Sequence, residues 1–230
     1  MAQFLIRIAG HTAHVDSLFD STRDYCRNYL TEKAPHFSVT VSREDLAFEQ
    51  EALRLEALEE GIKIRVFTDP FLERTAIQRK FAEYLFERDV LMTHGSTVSV
   101  DGKAYLFTAK CGTGKSTHTR LWRQIFGDRA QMVNDDKPFL KITQEGVLAC
   151  GSPWSGKHGL DTNVAVPLAG ICILQRGREN RIWPMDPWES MPMLEKQSCL
   201  PMAPERLPKY RALVDALAEK CTFWQMQCTK

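Results

Sequence analysis

The sequence predicts an α/β fold built on a mixed β-sheet, and three observations carry that expectation. Residues 104–108 form a short apolar, β-prone run and residues 109–117 are Gly-rich. Residues 117–126 then set Leu121, Trp122 and Ile125 at helical spacing until Gly127 and Asp128 stop the pattern. Strand, Gly-rich turn and helix in that order make one α/β unit. Upstream, Asp101-Gly102 joins two β-prone runs as a two-residue hairpin signal, so part of the sheet is antiparallel and the core is not a plain doubly wound parallel sheet. Ahead of both, strand-like and helix-like segments alternate over the first 90 residues.

In chain order, residues 4–8 read as a strand and 16–30 as a helix opened by an Asp/Ser cap signal. Residues 37–42 alternate as a second strand. The Glu- and Leu-rich stretch 43–60 is either one helix or a strand followed by a helix, and Gly61 closes it. Residues 62–67 look like another strand. Asp69-Pro70 opens a helix to about Arg88, with Leu72, Ile77, Phe81 and Leu85 on one face. The middle is strand-rich, at 97–100, 104–108, 131–134, 139–142, 147–150 and 170–175. Beyond Trp183 the chain turns Pro- and Met-rich and offers helices at 189–197 and 205–219. The expected organisation is a small α/β region over 1–90, then a nucleotide-binding core with C-terminal helices over 91–230, without repeats or a long linker.

Composition narrows the function classes. With 43% hydrophobic and 26% charged residues the 230-residue chain is globular in character. Thirty basic against 29 acidic residues leave a net charge of +1, which predicts no nucleic-acid partner. The first residues lack a basic start and a long apolar region, and no 18-residue apolar run occurs, so no membrane association and a cytoplasmic location are expected. Seven scattered cysteines without a Cys-x-x-Cys pair argue against a disulfide framework or structural zinc; most are expected as small buried apolar residues, with Cys111 the exception.

Residues 109–117, Ala-Lys-Cys-Gly-Thr-Gly-Lys-Ser-Thr, closely match a P-loop, whose inward N–H groups wrap polyphosphate oxygens; only Ala109 departs, from Gly. Gly112 and Gly114 allow positive φ and close approach. Lys115 would reach the terminal phosphates, and the Ser116 hydroxyl would ligate Mg²⁺. With Cys111, Thr113 and Thr117 these form the expected nucleotide-binding set, and the helix start adds its own attraction for anions. The alternative is an ordinary Gly- and Lys-rich βα turn.

A phosphate loop needs a metal carboxylate and a catalytic group. Twenty residues past Lys115, the strand-like Gln131-Met-Val-Asn-Asp-Asp136 ends in adjacent carboxylates. One can hold Mg²⁺ while the other takes a proton from an attacking hydroxyl, although Asn-Asp-Asp-Lys is also plain turn chemistry. Asp135 is read as the proton acceptor and Asp136 as the metal residue, with the two roles exchangeable. Residues 151–158 concentrate Gly, Ser, Trp154, Lys157 and His158; Lys157 either stabilises transferred charge or belongs to an exposed turn that Trp154 anchors. His94-Gly95 precedes the hairpin, and a lone His is more often structural than catalytic.

Taken together, His94-Gly95, the loop 111–117 and Asn134-Asp135-Asp136 resemble the HPr kinase/phosphorylase family, whose P-loop core is shared with phosphoenolpyruvate carboxykinases. The resemblance covers roughly residues 90–180, including strand 171–175, Arg176-Gly177 and Asn180. It implies a mixed-sheet kinase core, ATP and Mg²⁺ as cofactors, and site roles for His94, Lys115, Ser116, Asp135 and Asp136. Members often form hexamers, so a homo-oligomer is possible. HPr kinases usually carry Glu where Thr117 stands, and their downstream acidic and Arg-containing signature is replaced here by Gly-Ser-Pro-Trp-Ser-Gly-Lys. The sequence therefore looks like a divergent HPr-kinase-like protein. The expected activity is transfer of the ATP γ-phosphoryl group to a hydroxyl acceptor: a protein or peptide Ser, or a small hydroxylated metabolite. A carboxykinase-like lyase and a non-catalytic ATP-binding module are the alternatives.

Overall fold

The computed structural model describes residues 1–59, 61–198 and 204–229; Glu60, the expected end of the 43–60 segment, and Cys199 lie outside the described residues. The chain divides into two compact units, Met1–Tyr84 and Leu85–Lys230.

In the first unit, β1 (Ala2–Ile8) pairs antiparallel with β2 (His11–Ser17), and β3 (Phe37–Thr40) lies parallel to β2. Ala9 and Gly10, at φ 50° and 88°, form the two-residue turn between β1 and β2, with the twist that hairpin strands require. This corrects the helix expected over 16–30. Asp16 and Ser17 end β2, because Asp16 accepts across the sheet from Gln3 (2.7 Å) and Thr40 (3.1 Å) instead of capping a helix. Only α1 (Asp20–Tyr25) and a 3-10 turn at Arg27–Tyr29 follow. The 43–60 segment is one helix, α2 (Arg43–Glu59).

The strand expected over 62–67 does not form. Its alternating Ile-Lys-Ile-Arg-Val pattern suits a strand, but the Gln50 side chain on α2 donates to Arg65 O (3.1 Å) and accepts from Phe67 N (2.9 Å), in place of a ladder partner. Val66 is left 92% exposed. Helix α3 (Asp69–Phe86) buries Leu72, Ile77, Phe81 and Leu85, the face its spacing marked.

The second unit is a mixed α/β structure around one nine-stranded sheet. Its strands are β4 (Val90–Met92), β5 (Ser96–Val100), β6 (Lys103–Thr108), β7 (Ala130–Asn134), β8 (Phe139–Ile142) and β9 (Val147–Cys150), then β10 (Ala165–Arg176), β11 (Arg181–Pro184) and β12 (Thr222–Cys228). Its helices are α4 (Lys115–Phe126), α5 (Pro187–Gln197) and α6 (Leu207–Lys220). The sheet order is β4-β8-β9-β10-β6-β5-β7. β12 also pairs with β10, beyond β9, and carries β11. β6, β10 and β12 are mutually parallel, while β5 is antiparallel to both β6 and β7. Asp101 and Gly102 make the expected hairpin turn at φ 50° and 75°.

Both faces of the centre are covered. Ala104, Leu106, Val133 and Ile171 pack on one side with Leu194 of α5 and Leu217 of α6. Val98, Phe107 and Cys172 pack on the other, with Trp122 of α4 against them. Because β7 runs with β6, the C-terminal ends of β6, β7, β10 and β12 share one edge of the sheet, the edge at which open α/β sheets bind ligands.

Candidate functional site

The loop between β6 and α4 occupies the middle of that edge. Gly112 (φ 74°) and Gly114 (φ 115°) hold left-handed conformations, and Gly114 stands just before α4 with no side chain capping the helix. The first N–H groups of a helix have no intrahelical acceptor, so the start of α4 presents unsatisfied donors to the loop. Ala109 is fully buried and outside the positive-φ residues, so a side chain is tolerated where the motif has Gly. Cys111, Gly112 and Thr117 are exposed, and Thr113, Gly114 and Ser116 half-buried. Cys26, Cys150, Cys172 and Cys221 are buried.

Lys115 is buried at the first position of α4, and its Nζ donates to Ala109 O (3.0 Å). Burial pushes its amine below the usual lysine range, against the opposing pull of Cys111, Asp136 and Asp135. Among the described residues no carboxylate lies within salt-bridge distance of it. An ammonium held this way has donor capacity left for an anion.

The two carboxylates differ sharply. Asp135, 7% exposed, accepts from Ser96 Oγ (2.6 Å), and Ser96 is joined to Thr119 Oγ1 (2.7 Å), one turn into α4 from Lys115. Asp136 has a side chain 32% exposed, with Oδ1 3.1 Å from His94 Nε2. Burial raises the Asp136 carboxyl, but His94, Lys137 and Lys115 outweigh it and hold the group below the ordinary aspartate value. His94 is fixed in turn: its N–H donates to Gln197 O (2.6 Å) and its carbonyl accepts from Thr108 Oγ1 (3.0 Å).

Asn134 organises the strand end. Its Oδ1 accepts from Asp136 N (2.8 Å) and Lys137 N (2.6 Å), and its Nδ2 donates to Ser152 O (2.8 Å). This ties the Asp pair to the 151–158 loop. Trp154 is buried against Phe139, the anchoring role expected of it, and Ser155 Oγ donates to Asp161 (2.6 Å). A Cβ on Gly156 would stand 3.2 Å from Asp136 Cβ, so the loop passes directly against that carboxylate, with exposed Lys157 as its neighbour.

His94, Lys115, Asp135, Asp136 and the 151–158 loop thus meet at one sheet edge. Sequence reading missed Ser96, Thr119 and Arg176, whose Nη2 donates to Gly112 O (3.3 Å). Thr119 was findable as the i+4 neighbour of Lys115, and Arg176 stood within the resemblance without a role assigned to it; Ser96 carried no signal of its own. Of the helical face marked by Leu121, Trp122 and Ile125, Trp122 packs against the sheet while Leu121 and Ile125 are exposed. Ile125 is 75% exposed, and Lys115 and Thr119 are buried instead.

No protein-family model matches the sequence, and no curated protein is similar to it in sequence. Among solved structures the chain is similar to the HPr(Ser) kinase/phosphatase from Coxiella burnetii, at 13% identity over 56% of this chain and 88% of that one, with a TM-score of 0.33. At that distance the functional reading rests on the residues themselves. No described helix is long and apolar enough to cross a membrane.

Proposed function

We propose that the chain binds the triphosphate of ATP with Mg²⁺ on the loop 109–117 and transfers the γ-phosphoryl group to a hydroxyl acceptor. The observation that carries this reading is the meeting, at one sheet edge, of an uncapped helix start, a buried lysine without a carboxylate partner among the described residues, and two carboxylates in unlike settings. Phosphoryl transfer demands mostly positioning and charge neutralisation, which is what such an arrangement supplies.

The N–H groups of residues 111–117 line the phosphates, and Lys115 neutralises charge on the terminal one. Mg²⁺ is held by one or two carboxylates plus phosphates, so no cluster of three acidic, His or Cys ligands is needed, and none is present among the described residues. The metal's contribution is to offset charge on the phosphate oxygens. Of the two assignments for the Asp pair, the accessibilities favour Asp136 as proton acceptor and Asp135 with Ser116 as the metal residues. A base must touch the acceptor hydroxyl, and Asp136 is the more open carboxylate, beside His94 and the 151–158 loop. His94 holds that carboxylate in place, and Lys157 stands where transferred charge develops. The acceptor is a seryl group of a protein or peptide, or a small hydroxylated metabolite.

The test is calorimetry with ATP·Mg, followed by γ-labelled ATP incubated with cell extract to find the species that gains label. Lys115→Ala should remove most nucleotide affinity. Asp136→Asn should retain it and slow transfer by about 10²-fold or more, the range for losing a general base. Unchanged ATP affinity in Lys115→Ala rejects the loop as the phosphate site. Binding without any labelled product leaves a non-catalytic ATP module and rejects the kinase reading.

A further inference from the structure

A pocket of about 520 Å³ opens beside the loop, on the side away from the Asp pair. Its walls come from Thr117, His118 and Leu121 of α4 and from Leu174, Ile182 and Met226 of β10, β11 and β12. None of His94, Lys115, Asp135 or Asp136 lines it. We propose that this pocket holds the nucleoside of the ATP whose phosphates lie on the loop, so that β11 and β12 serve as its nucleoside-binding wall. This inference rests on the ATP reading above and adds to it where the base and ribose go.

Three observations carry it. First, strand order fixes a direction: β7, with the Asp pair, lies on one side of β6, and β10, β12 and β11 lie on the other. A triphosphate whose γ-end points at Lys115 and the Asp pair must leave the loop toward β10 and β12. Second, the pocket has the mixed character of a nucleoside site. Apolar side chains of Leu121, Leu174, Ile182 and Met226 offer a dry wall, and size is within the range of small-ligand pockets. Leu121 and Ile182, exposed apolar residues without a packing role in the core, acquire one here.

Third, polar groups are already oriented. Trp122 Nε1 donates to His118 Nε2 (3.0 Å), so that nitrogen is the acceptor of the ring and the imidazole proton sits on Nδ1. That leaves a donor on a pocket-lining ring one residue past Thr117, where ribose or α-phosphate oxygens would lie. At the opposite wall Asn180 Oδ1 accepts from Thr229 N (2.9 Å), which leaves its amide hydrogens to meet a ring acceptor on the base. Gly177 admits the Gln227 side chain to this corner, since a Cβ there would stand 1.6 Å from Gln227 Nε2.

The experiment compares ATP with inorganic tripolyphosphate, each with Mg²⁺, by calorimetry on the full chain. Ile182→Asp, at a site already half open to solvent, puts a charge on the apolar wall. It should weaken ATP by tenfold or more and leave tripolyphosphate unchanged. His118→Ala should show the same split more weakly, and circular dichroism checks that both variants are folded. Equal loss of both ligands in folded Ile182→Asp, or no loss of ATP, overturns the pocket assignment while the loop stands. If wild-type protein binds neither ligand, the ATP reading itself fails.

Discussion

Gly95 and Gly151 have no room for a methyl group, although neither needs a left-handed φ. A Cβ at Gly95 would meet Leu106 Cδ1 at 2.5 Å and Phe107 O at 3.0 Å; at Gly151 it would meet Thr162 O at 1.9 Å. Leucine can turn aside, whereas a backbone carbonyl moves only with the main chain around it. Gly95→Ala should therefore destabilise by about 1–3 kcal/mol, the usual cost of overpacking, and Gly151→Ala by more. Urea denaturation measures both, and the opposite order would mean that the 151–158 loop is loosely held. Charge at Asp136 gives a second expectation. Its folded-state pKa is lowered despite burial, because His94, Lys137 and Lys115 favour the ionised form. Its stabilisation is thus complete above the unfolded carboxylate value and is lost as pH falls through the lower folded one. Asp136→Asn should lower the urea midpoint at pH 7, with the gap closing below about pH 4. A gap that persisted unchanged at acid pH would contradict the pairing with His94. Lys115 has the reverse balance: burial disfavours its charge, so Lys115→Met should raise the stability of the ligand-free protein while removing its affinity for ATP.

At the level of elements, what could be read depended on whether the deciding interaction was local. Asp101-Gly102 announced its hairpin because both residue types suit positive φ, whereas Ala9-Gly10 makes the same turn with an Ala in the left-handed region. That one residue hid β2 and turned its end into the start of an imagined helix. Residues 62–67 failed in the other direction: strand propensity was present, but the Gln50 amide took the backbone groups that a neighbouring strand would have used. β12 was missed because adjacent Phe223 and Trp224 blur its alternation, and its support is a parallel partner some fifty residues away. On α4, hydrophobic spacing marked Trp122 as packed but missed that the polar residues Lys115 and Thr119 are buried while Ile125 is exposed. The neutral His118 on this helix has a measurable consequence. With its folded pKa depressed by burial, stability is full above the unfolded value near 6.5 and falls as the pH drops through the folded one. His118→Gln, which also offers an acceptor to Trp122, should flatten that slope below about pH 6.5 in denaturation midpoints. A slope identical to wild type would place the responsible titration elsewhere.

For the whole molecule, the candidate site divides into a part that is contiguous in sequence and a part that only the sheet assembles. The loop 109–117 and the pair 135–136 each sit in a few consecutive residues, and their strand-end positions follow from the flanking runs. The pocket does not: Leu121, Leu174, Ile182 and Met226 are brought together by β10 lying between β6 and β12, a topology that no local pattern encodes. The N-terminal unit, Met1–Tyr84, contributes nothing to this constellation of residues, all of which fall within Leu85–Lys230. This has a consequence for hydrogen exchange. ATP·Mg at a hundred times its Kd stabilises the folded state of the unit that binds it by about 2.7 kcal/mol through mass action, on top of direct protection of the amides it covers. Exchange should slow most at residues 111–119, next at 132–137, and at the ends of β10, β11 and β12. The β1–β2–β3 sheet should keep its ligand-free rates. Slowing at 111–119 and 132–137 without any change at 176–182 and 226–229 would put the nucleoside outside the pocket. Slowing in β1–β3 as strong as in the loop would mean that the first unit does not open independently of the unit that binds the nucleotide.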